Sequence, residues 1–242
     1  MAPLHFFALS DRGVSATNND AFCAEKIGKY HVFGIAEGLS DPADGGFAGD
    51  IAISSLRQSV QAQGDSPAAA IIAALHESDA RISAHATTSP GRSMNGTYLS
   101  ACLIDDALDC TLLDTGEGYA CLITPDGVFA PRDYPLSGRP DGLGVLLGDP
   151  GEERKRTNMI SHTLGEPRIL MESEFVAVNM RDIFLLLSSG GLHDLVGKER
   201  IAEIVHENGE NVEASCEHLM QEALSAGSEQ TITLILVCGH PK

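Results

Sequence analysis

Hydrophobic positions along the chain follow two different spacings, and the change between them predicts an α+β fold. Residues 5–11 and 29–38 are mostly apolar, each ends near Gly or Asp, and both predict strands. Apolar side chains at helical spacing follow in residues 47–60 and again in residues 68–82. Ser66-Pro67 supplies an N-cap and a first-turn proline to the second of these segments, so two helices are expected after the first strands.

The rest of the chain predicts further strands and then two more helices. Four short strands separated by turn residues are expected at Thr97–Ile104, Cys110–Asp114, Tyr119–Ile123 and Gly127–Ala130. Residues 131–157 contain several Gly and Pro without periodicity, which predicts a surface loop. The final segments predict strands at 173–179 and 183–188, helices at 198–207 and 211–226, and a closing strand at Thr231–Val237. No linker or repeat interrupts this order, so we expect one domain over residues 1–242, with helices grouped over sheets.

The charge and composition of the chain limit the kinds of molecule that it is expected to bind. The formal net charge is −18, which repels phosphate backbones and argues against nucleic acid and anionic membrane as partners. It leaves room for a hard cation, because Mg²⁺ and Mn²⁺ need clustered oxygen ligands. No apolar run approaches the roughly 20 residues of a membrane span, and the N-terminus lacks a secretion signal, so a soluble, cytoplasmic protein is expected. The six cysteines show no CxxC spacing and are expected to be buried, reduced thiols.

Eight short motifs occur in a fixed order along the chain. They lie at residues 10–13 with 18–22, 33–38, 49–52, 96–97, 116–120, 158–167, 185–194 and 229–233. Three examples are Asn18-Asn19-Asp20-Ala21-Phe22, Phe33-Gly34-Ile35-Ala36-Glu37-Gly38 and Leu185-Leu186-Leu187-Ser188-Ser189-Gly190-Gly191. The ordered set resembles the PPM-type (type 2C) metal-dependent Ser/Thr protein phosphatases over nearly the whole length of the chain.

The resemblance implies a four-layer α-β-β-α sandwich, in which two antiparallel sheets are flanked by helices. It also implies a site for two Mg²⁺ or Mn²⁺ ions at one end of the sandwich. Two such ions activate a shared water for in-line attack on phosphorus and neutralise charge on the phosphoryl oxygens.

Only the early part of that site is kept. Asp20 stands at the early acidic motif, and Gly38 keeps the carbonyl that the resemblance assigns to the metal site. Glu37 replaces the Asp that bridges both ions in the family. Its charge is the same, but the extra methylene displaces the carboxylate by about one C–C bond, against Mg²⁺–oxygen distances of about 2.0–2.1 Å. Asp20 and Glu37 are therefore the candidate catalytic residues, and both are candidate metal ligands.

The late ligand positions have changed more. Gly190 stands where the family has an Asp ligand, and it offers no side chain. At the last motif, counting back from Thr233 places Gln230 at the ligand position, whereas one inserted residue places Glu229 there. The sequence leaves this register open, so Glu229 remains a candidate ligand. His193 replaces a residue that the family uses structurally, and a packing or rim role is expected for it.

The phosphate-binding arginine of the family also has no clear counterpart. Ser15 stands at the usual position, and the segment is one residue shorter than in the family. Arg12 lies nearby as a weak candidate, and residues 154–156 add three basic side chains in the long loop. A bidentate phosphate clamp needs a held geometry, so surface roles are expected for these cations.

These departures predict a catalytically impaired protein, a pseudophosphatase, that acts as a binding or regulatory module in phosphorylation signalling. A protein or phosphoprotein is the expected partner, and at most one well-held Mn²⁺ or Mg²⁺ ion is expected. The alternative is an active Mn/Mg-dependent Ser/Thr phosphatase with an altered metal shell. In that reading Asp20, Glu37 and Glu229 regroup around the ion with Asp194 or Asp41.

Overall fold

The chain forms strands first, then helices, then strands and helices again. The structure, a computed structural model, describes residues 4–39, 46–64, 66–88, 96–115, 120–130, 164 and 175–239. The strands are β1 Leu4–Asp11, β2 Asp20–Ile27, β3 Tyr30–Gly38, β4 Thr97–Ile104, β5 Asp109–Asp114, β6 Ala120–Thr124, β7 Gly127–Phe129, β8 Val176–Asn179, β9 Phe184–Ser188 and β10 Ile232–Gly239. The helices are α1 Gly46–Ala62, α2 Pro67–Thr88, α3 Gly190–His193, α4 Lys198–Asn208 and α5 Val212–Ser225.

The strands build two five-stranded sheets whose strand pairs are antiparallel. One sheet has the order β1-β10-β9-β6-β7 and is called sheet A here, and the other, sheet B, has the order β2-β3-β4-β5-β8. β1 and β10 pair along their whole length, from Leu4 opposite Gly239 to Asp11 opposite Ile232. The first and last described strands therefore pair at one edge of sheet A.

Three apolar cores separate four layers. The central core lies between the sheets, where Phe33 and Ile35 of sheet B meet Leu185 and Ile235 of sheet A. A second core joins sheet B to α1 and α2, and a third joins sheet A to α3, α4 and α5. The α-β-β-α order predicted from the motifs is confirmed.

Close packing of α1 on sheet B depends on a glycine. A Cβ added at Gly34 of β3 would lie 2.8 Å from Leu56 Cδ2 of α1 and 3.3 Å from Ile53 Cδ1. A larger residue would therefore have to displace the buried ends of the Leu56 and Ile53 side chains. This contact holds the layer that carries the end of β3, where the candidate site lies.

Most predicted elements match the observed ones, with two omissions. The N-cap of α2 is confirmed, since Ser66 Oγ accepts a hydrogen bond from the N–H of Ala69 at 3.3 Å. β2 was not predicted. This edge strand has two charged residues near its end, Glu25 and Lys26, and its apolar residues do not alternate regularly with polar ones. The four-residue α3 was also missed, since it is too short to show a helical period.

Several predictions fall outside the described residues. They are the loop at 131–157 with its basic residues 154–156, the motif positions 116–119, 158–163 and 165–167, and Asp41. Among the helices that the structure describes, none is both long and apolar enough to cross a membrane.

Candidate functional site

The candidate site lies where both sheets present strand ends at the same end of the sandwich. Asp20 begins β2 and Glu37 lies near the end of β3, so both belong to sheet B. Gly190 directly follows β9, and Thr231 directly precedes β10 in sheet A. Side chains from both sheets therefore reach this end, and we call these four positions and their neighbours the strand-end site.

Asp20 and Glu37 are paired residues in the β2–β3 ladder. Directly opposite residues of an antiparallel pair project their side chains to the same face, about 4.5–5.5 Å apart at Cβ. The N–H of Asp20 donates to Asn18 Oδ1 at 3.0 Å, which orients the start of the strand. Two carboxylates thus share one face at the strand ends.

The Asp20 carboxylate is buried. Neither Oδ1 nor Oδ2 has a hydrogen-bond partner among the residues that the structure describes. Burial raises the pKa of the Asp20 carboxyl, and the nearby side chains of Thr233, Ser189 and Thr231 lower it only in part. Desolvation favours the neutral form of a carboxyl group unless a cation or donors compensate it.

The hydroxyls around Asp20 are engaged with other groups. Ser189 Oγ donates to the carbonyl of Thr231 at 3.2 Å and accepts from the N–H of Thr233 at 2.9 Å. Thr233 Oγ1 lies 2.7 Å from Ser10 Oγ, and Asn18 Nδ2 donates to the same Ser10 hydroxyl at 2.8 Å. These contacts tie β1 and β10 to the turn after β9, and they engage the hydroxyls of Ser189 and Thr233 with groups other than Asp20.

Glu37 is held through both its backbone and its carboxylate. Its carbonyl accepts a hydrogen bond from Thr97 Oγ1 at 2.8 Å, and the following N–H of Gly38 donates to the carbonyl of Asn19 at 3.2 Å. Its Oε2 accepts from the backbone N–H of Gly190 at 3.2 Å. This last bond joins sheet B to the turn after β9 of sheet A.

Gly190 is buried and starts α3. The N–H of the preceding Ser189 donates to the carbonyl of Thr233 at 2.9 Å, and the carbonyl of Gly190 accepts from the N–H of Asp194 at 3.0 Å. The position where the resemblance expects an Asp thus contributes a backbone donor. The side chain of Asp194 is exposed.

Glu229 and Gln230 both lie exposed in the turn before β10. Their backbones take part in hydrogen bonds: the carbonyl of Glu229 accepts from Ser15 Oγ at 3.1 Å, and that of Gln230 accepts from Ser228 Oγ at 3.3 Å. The residue at the family's arginine position therefore holds the turn that carries the last acidic motif.

Arg12 turns back on its own segment. Its Nη1 donates to the carbonyl of Ala16 at 3.1 Å, and its carbonyl accepts from the N–H of Ser15 at 3.1 Å. In the turn after β1, Arg12 and Ala16 are exposed and Ser15 is half-buried. In this conformation the guanidinium stabilises the turn.

His193 connects three elements beneath the site. Its Nδ1 lies 2.6 Å from Ser188 Oγ of β9, and its Nε2 lies 3.2 Å from Cys121 Sγ of β6. Burial lowers the pKa of His193 to about 4, and the positive charge of Lys198 contributes. The ring is therefore neutral at pH 7, and its contacts agree with the packing role expected for it.

The same arrangement of layers occurs in solved serine/threonine phosphatases. The Mycobacterium tuberculosis phosphatase PstP/Ppp is 22% identical, with a TM-score of 0.75 over 98% of this chain and 99% of that chain. The PstP catalytic domain in complex with two manganese ions gives 22% identity and a TM-score of 0.76 over 98% and 99%. PppA, a key regulatory component of T6SS in Pseudomonas aeruginosa, gives 17% identity and 0.74 over 98% and 97%. This chain has the PPM phosphatase fold. No family model matches the sequence, and no curated protein matches it significantly.

Among the described residues, the strand-end site of this PPM fold does not gather the carboxylates that a two-ion centre needs. No group of three His, Cys, Asp or Glu side chains that could hold a metal occurs among the described residues. Glu229 therefore does not complete such a group with Asp20 and Glu37. What the site offers a cation is the facing pair of carboxylates, one of them buried and unpartnered, beside the backbone of Gly38.

The sequence reasoning missed the hydroxyl residues of the PPM-fold site. Ser189, Thr231 and Thr233 all lie within reach of Asp20, and each is buried. A signal existed for two of them, because Thr231 and Thr233 flank Ile232 at alternating positions and so face the same side of β10. No pattern in the sequence indicated the hydrogen bond between Glu37 and Gly190.

Proposed function

We propose that this chain is a catalytically impaired phosphatase-fold protein that acts as a binding or regulatory module in phosphorylation signalling. The observation that carries the proposal is Gly190. A position expected to hold a metal through a carboxylate has only a backbone N–H, and that N–H is bound to Glu37. With this ligand lost, one of the two ions lacks a side-chain ligand, and the clamp that two ions together place on the attacking and leaving oxygens is lost.

The cofactor and partner follow from the same residues. We expect at most one well-held Mn²⁺ or Mg²⁺ ion, taken by Asp20, Glu37 and the Gly38 backbone, while the exposed Glu229 is the candidate for a further, distant ligand. The partner is a protein or phosphoprotein, in keeping with the serine/threonine phosphatase PstP as a structural neighbour. The net charge of −18 disfavours nucleic acid and anionic membranes, and a cytoplasmic location is proposed.

One observation favours a second candidate, an active Mn/Mg-dependent Ser/Thr phosphatase with an altered metal shell. The buried Asp20 carboxylate has no donor within the described part of the chain, and a bound cation would stabilise its charged form. If an ion bound there recruited Glu37 away from Gly190, part of the family's centre would be rebuilt.

A phosphatase assay separates the two candidates. Hydrolysis of p-nitrophenyl phosphate and of a phosphothreonine peptide is measured with Mn²⁺ for the wild type, Glu37→Ala and Asp20→Ala. We expect the wild type to turn over no faster than the two variants. Glu203→Ala, which removes an exposed carboxylate on α4, is the matched control. Mn²⁺-dependent turnover that Glu37→Ala abolishes and Glu203→Ala spares would establish the active enzyme instead.

A further inference from the structure

Glu37 and Gly190 are two positions at which the chain departs from the family pattern, and the structure joins them to each other. The bond runs from the N–H of Gly190 to Glu37 Oε2 over 3.2 Å, across 153 positions of sequence. We infer that Glu37 is a latch, whose carboxylate ties the two sheets together across the site instead of bridging metal ions. The inference deepens the proposed function and rests on it, because it gives the physical reason for the impairment.

The N–H of Gly190 needs an acceptor. Gly190 is buried, and it begins a helix, where the first N–H groups find no partner inside the helix. An unpaired donor in such a place is costly, so native structures satisfy nearly all of them. The carboxylate of Glu37 is the acceptor, and a bond to a charged acceptor is stronger than one between neutral groups.

The side-chain length at position 37 decides whether the contact forms. The backbone of Glu37 is held by Thr97, and that of the next residue by Asn19, while the turn at Gly190 is held by the bond between Ser189 and Thr233. With both backbones held, an Asp at 37 would fall short by roughly 1.5 Å, the length of one C–C bond. Because the present distance from the Gly190 nitrogen to the carboxylate oxygen is already 3.2 Å, the shorter side chain would leave the oxygen beyond hydrogen-bond range.

The absence of a side chain at position 190 matters equally. A carboxylate at 190 would bring a second negative charge against Glu37, which already faces Asp20 across the β2–β3 ladder. Like charges at such distances repel unless a cation lies between them. Glu37 and Gly190 therefore compensate each other: the longer side chain supplies the acceptor, and the glycine supplies the donor without a competing charge.

Metal-free stability tests the latch directly. Melting temperatures are measured in EDTA for the full chain as wild type, Glu37→Gln and Glu37→Asp. The amide of Glu37→Gln keeps an acceptor at the same length, so its melting temperature should stay near that of the wild type. Glu37→Asp should melt about 5 °C lower, because it leaves the buried N–H unpaired. Glu25→Asp is the matched control: it shortens a carboxylate of the neighbouring strand whose partner, Arg57, is exposed and can bind water instead. The reverse order, with Glu37→Asp as stable as the wild type and Glu37→Gln melting lower, overturns the latch.

Mn²⁺ binding tests the compensation between the two positions. Isothermal titration of the wild type should show no more than one ion, whereas Glu37→Asp combined with Gly190→Asp should bind an additional ion. A double variant that folds but binds no more Mn²⁺ than the wild type overturns the compensation. If that variant fails to fold, the order of the two single variants in EDTA still decides the latch. Phosphatase activity in the wild type would overturn the proposed function alone, because the stability order is measured without metal or substrate.

Discussion

Asp20 and Glu37 lie directly opposite each other in neighbouring antiparallel strands, although both carry carboxylates. Facing like charges destabilise a strand pair. The two groups have different surroundings: Glu37 accepts a hydrogen bond from the N–H of Gly190, whereas both oxygens of Asp20 are buried and no described residue donates to them. In the metal-free protein, the negative charge of Asp20 therefore destabilises the native state more than that of Glu37 does.

Neutralising Asp20 should stabilise the metal-free protein. Because burial raises the pKa of its carboxyl, the native state holds the proton more tightly than the unfolded chain, and stability is lost as the pH rises past the native pKa. We expect Asp20→Asn to raise the free energy of unfolding by about 1 kcal/mol at pH 7 in EDTA, with a smaller gain at lower pH. The free energy of unfolding is measured by urea denaturation. Glu207→Gln, which neutralises an exposed carboxylate of α4, is the control. A loss of stability at pH 7 would show that the charge is compensated in the native protein.

Gly191 should not tolerate a side chain. A Cβ at this position would lie 2.3 Å from the carbonyl oxygen of Thr231, a backbone atom that cannot move without shifting β10. We expect Gly191→Ala to destabilise the protein by roughly 2 kcal/mol, within the range of overpacked cores. Gly64→Ala is the control, because an added Cβ there meets no atom of the described residues within 4 Å. Equal unfolding midpoints in urea for the two variants would contradict the close approach.

Much of the fold could be predicted from the sequence, because the evidence for it is local. Periodicity and turn residues marked both early helices and most strands, and the N-cap at Ser66 gave the start of α2. β2 was missed, and with it the register that sets Asp20 opposite Glu37. An edge strand packs less apolar surface, so its pattern is weaker.

The candidate site could be predicted only as a set of positions. The loss of a carboxylate at Gly190 is visible in the sequence, but the bond that replaces it depends on how close β3 approaches the turn after β9. The hydroxyls of Ser189 and Thr233 meet near Asp20 for the same reason, since they come from neighbouring strands of the other sheet. Such contacts are set by tertiary packing, which no local pattern specifies.

The cysteines should be inert in the native protein. All six are buried and free. Burial raises the pKa of Cys23 and Cys216 to about 12 and that of Cys121 and Cys238 to about 11, so little thiolate forms at pH 8. We expect fewer than one thiol per chain to react with an aromatic disulfide reagent at pH 8, and all six to react in guanidinium. Rapid reaction of even one thiol without denaturant would contradict this burial.

His193 should make stability depend on pH. Burial lowers its pKa to about 4 in the native state, against 6.5 in the unfolded chain. The unfolded chain therefore binds the proton more readily, so the stabilising contribution is complete above about pH 6.5 and is lost as the pH falls towards 4. The lowered pKa corresponds to at most roughly 3 kcal/mol over that range.

The pH effect can be separated from general acid unfolding with two variants. His193→Asn keeps a polar atom near the Ser188 hydroxyl but removes the titrating ring, so its unfolding free energy should fall less steeply between pH 6.5 and 4.5. It should also be lower at pH 7, because the contact with Cys121 is lost. His206→Asn, an exposed histidine of α4, should follow the wild-type profile. Parallel profiles for wild type and His193→Asn would show that the ring does not stay neutral in the native protein, and that the contacts of Ser188 and Cys121 accept its charge.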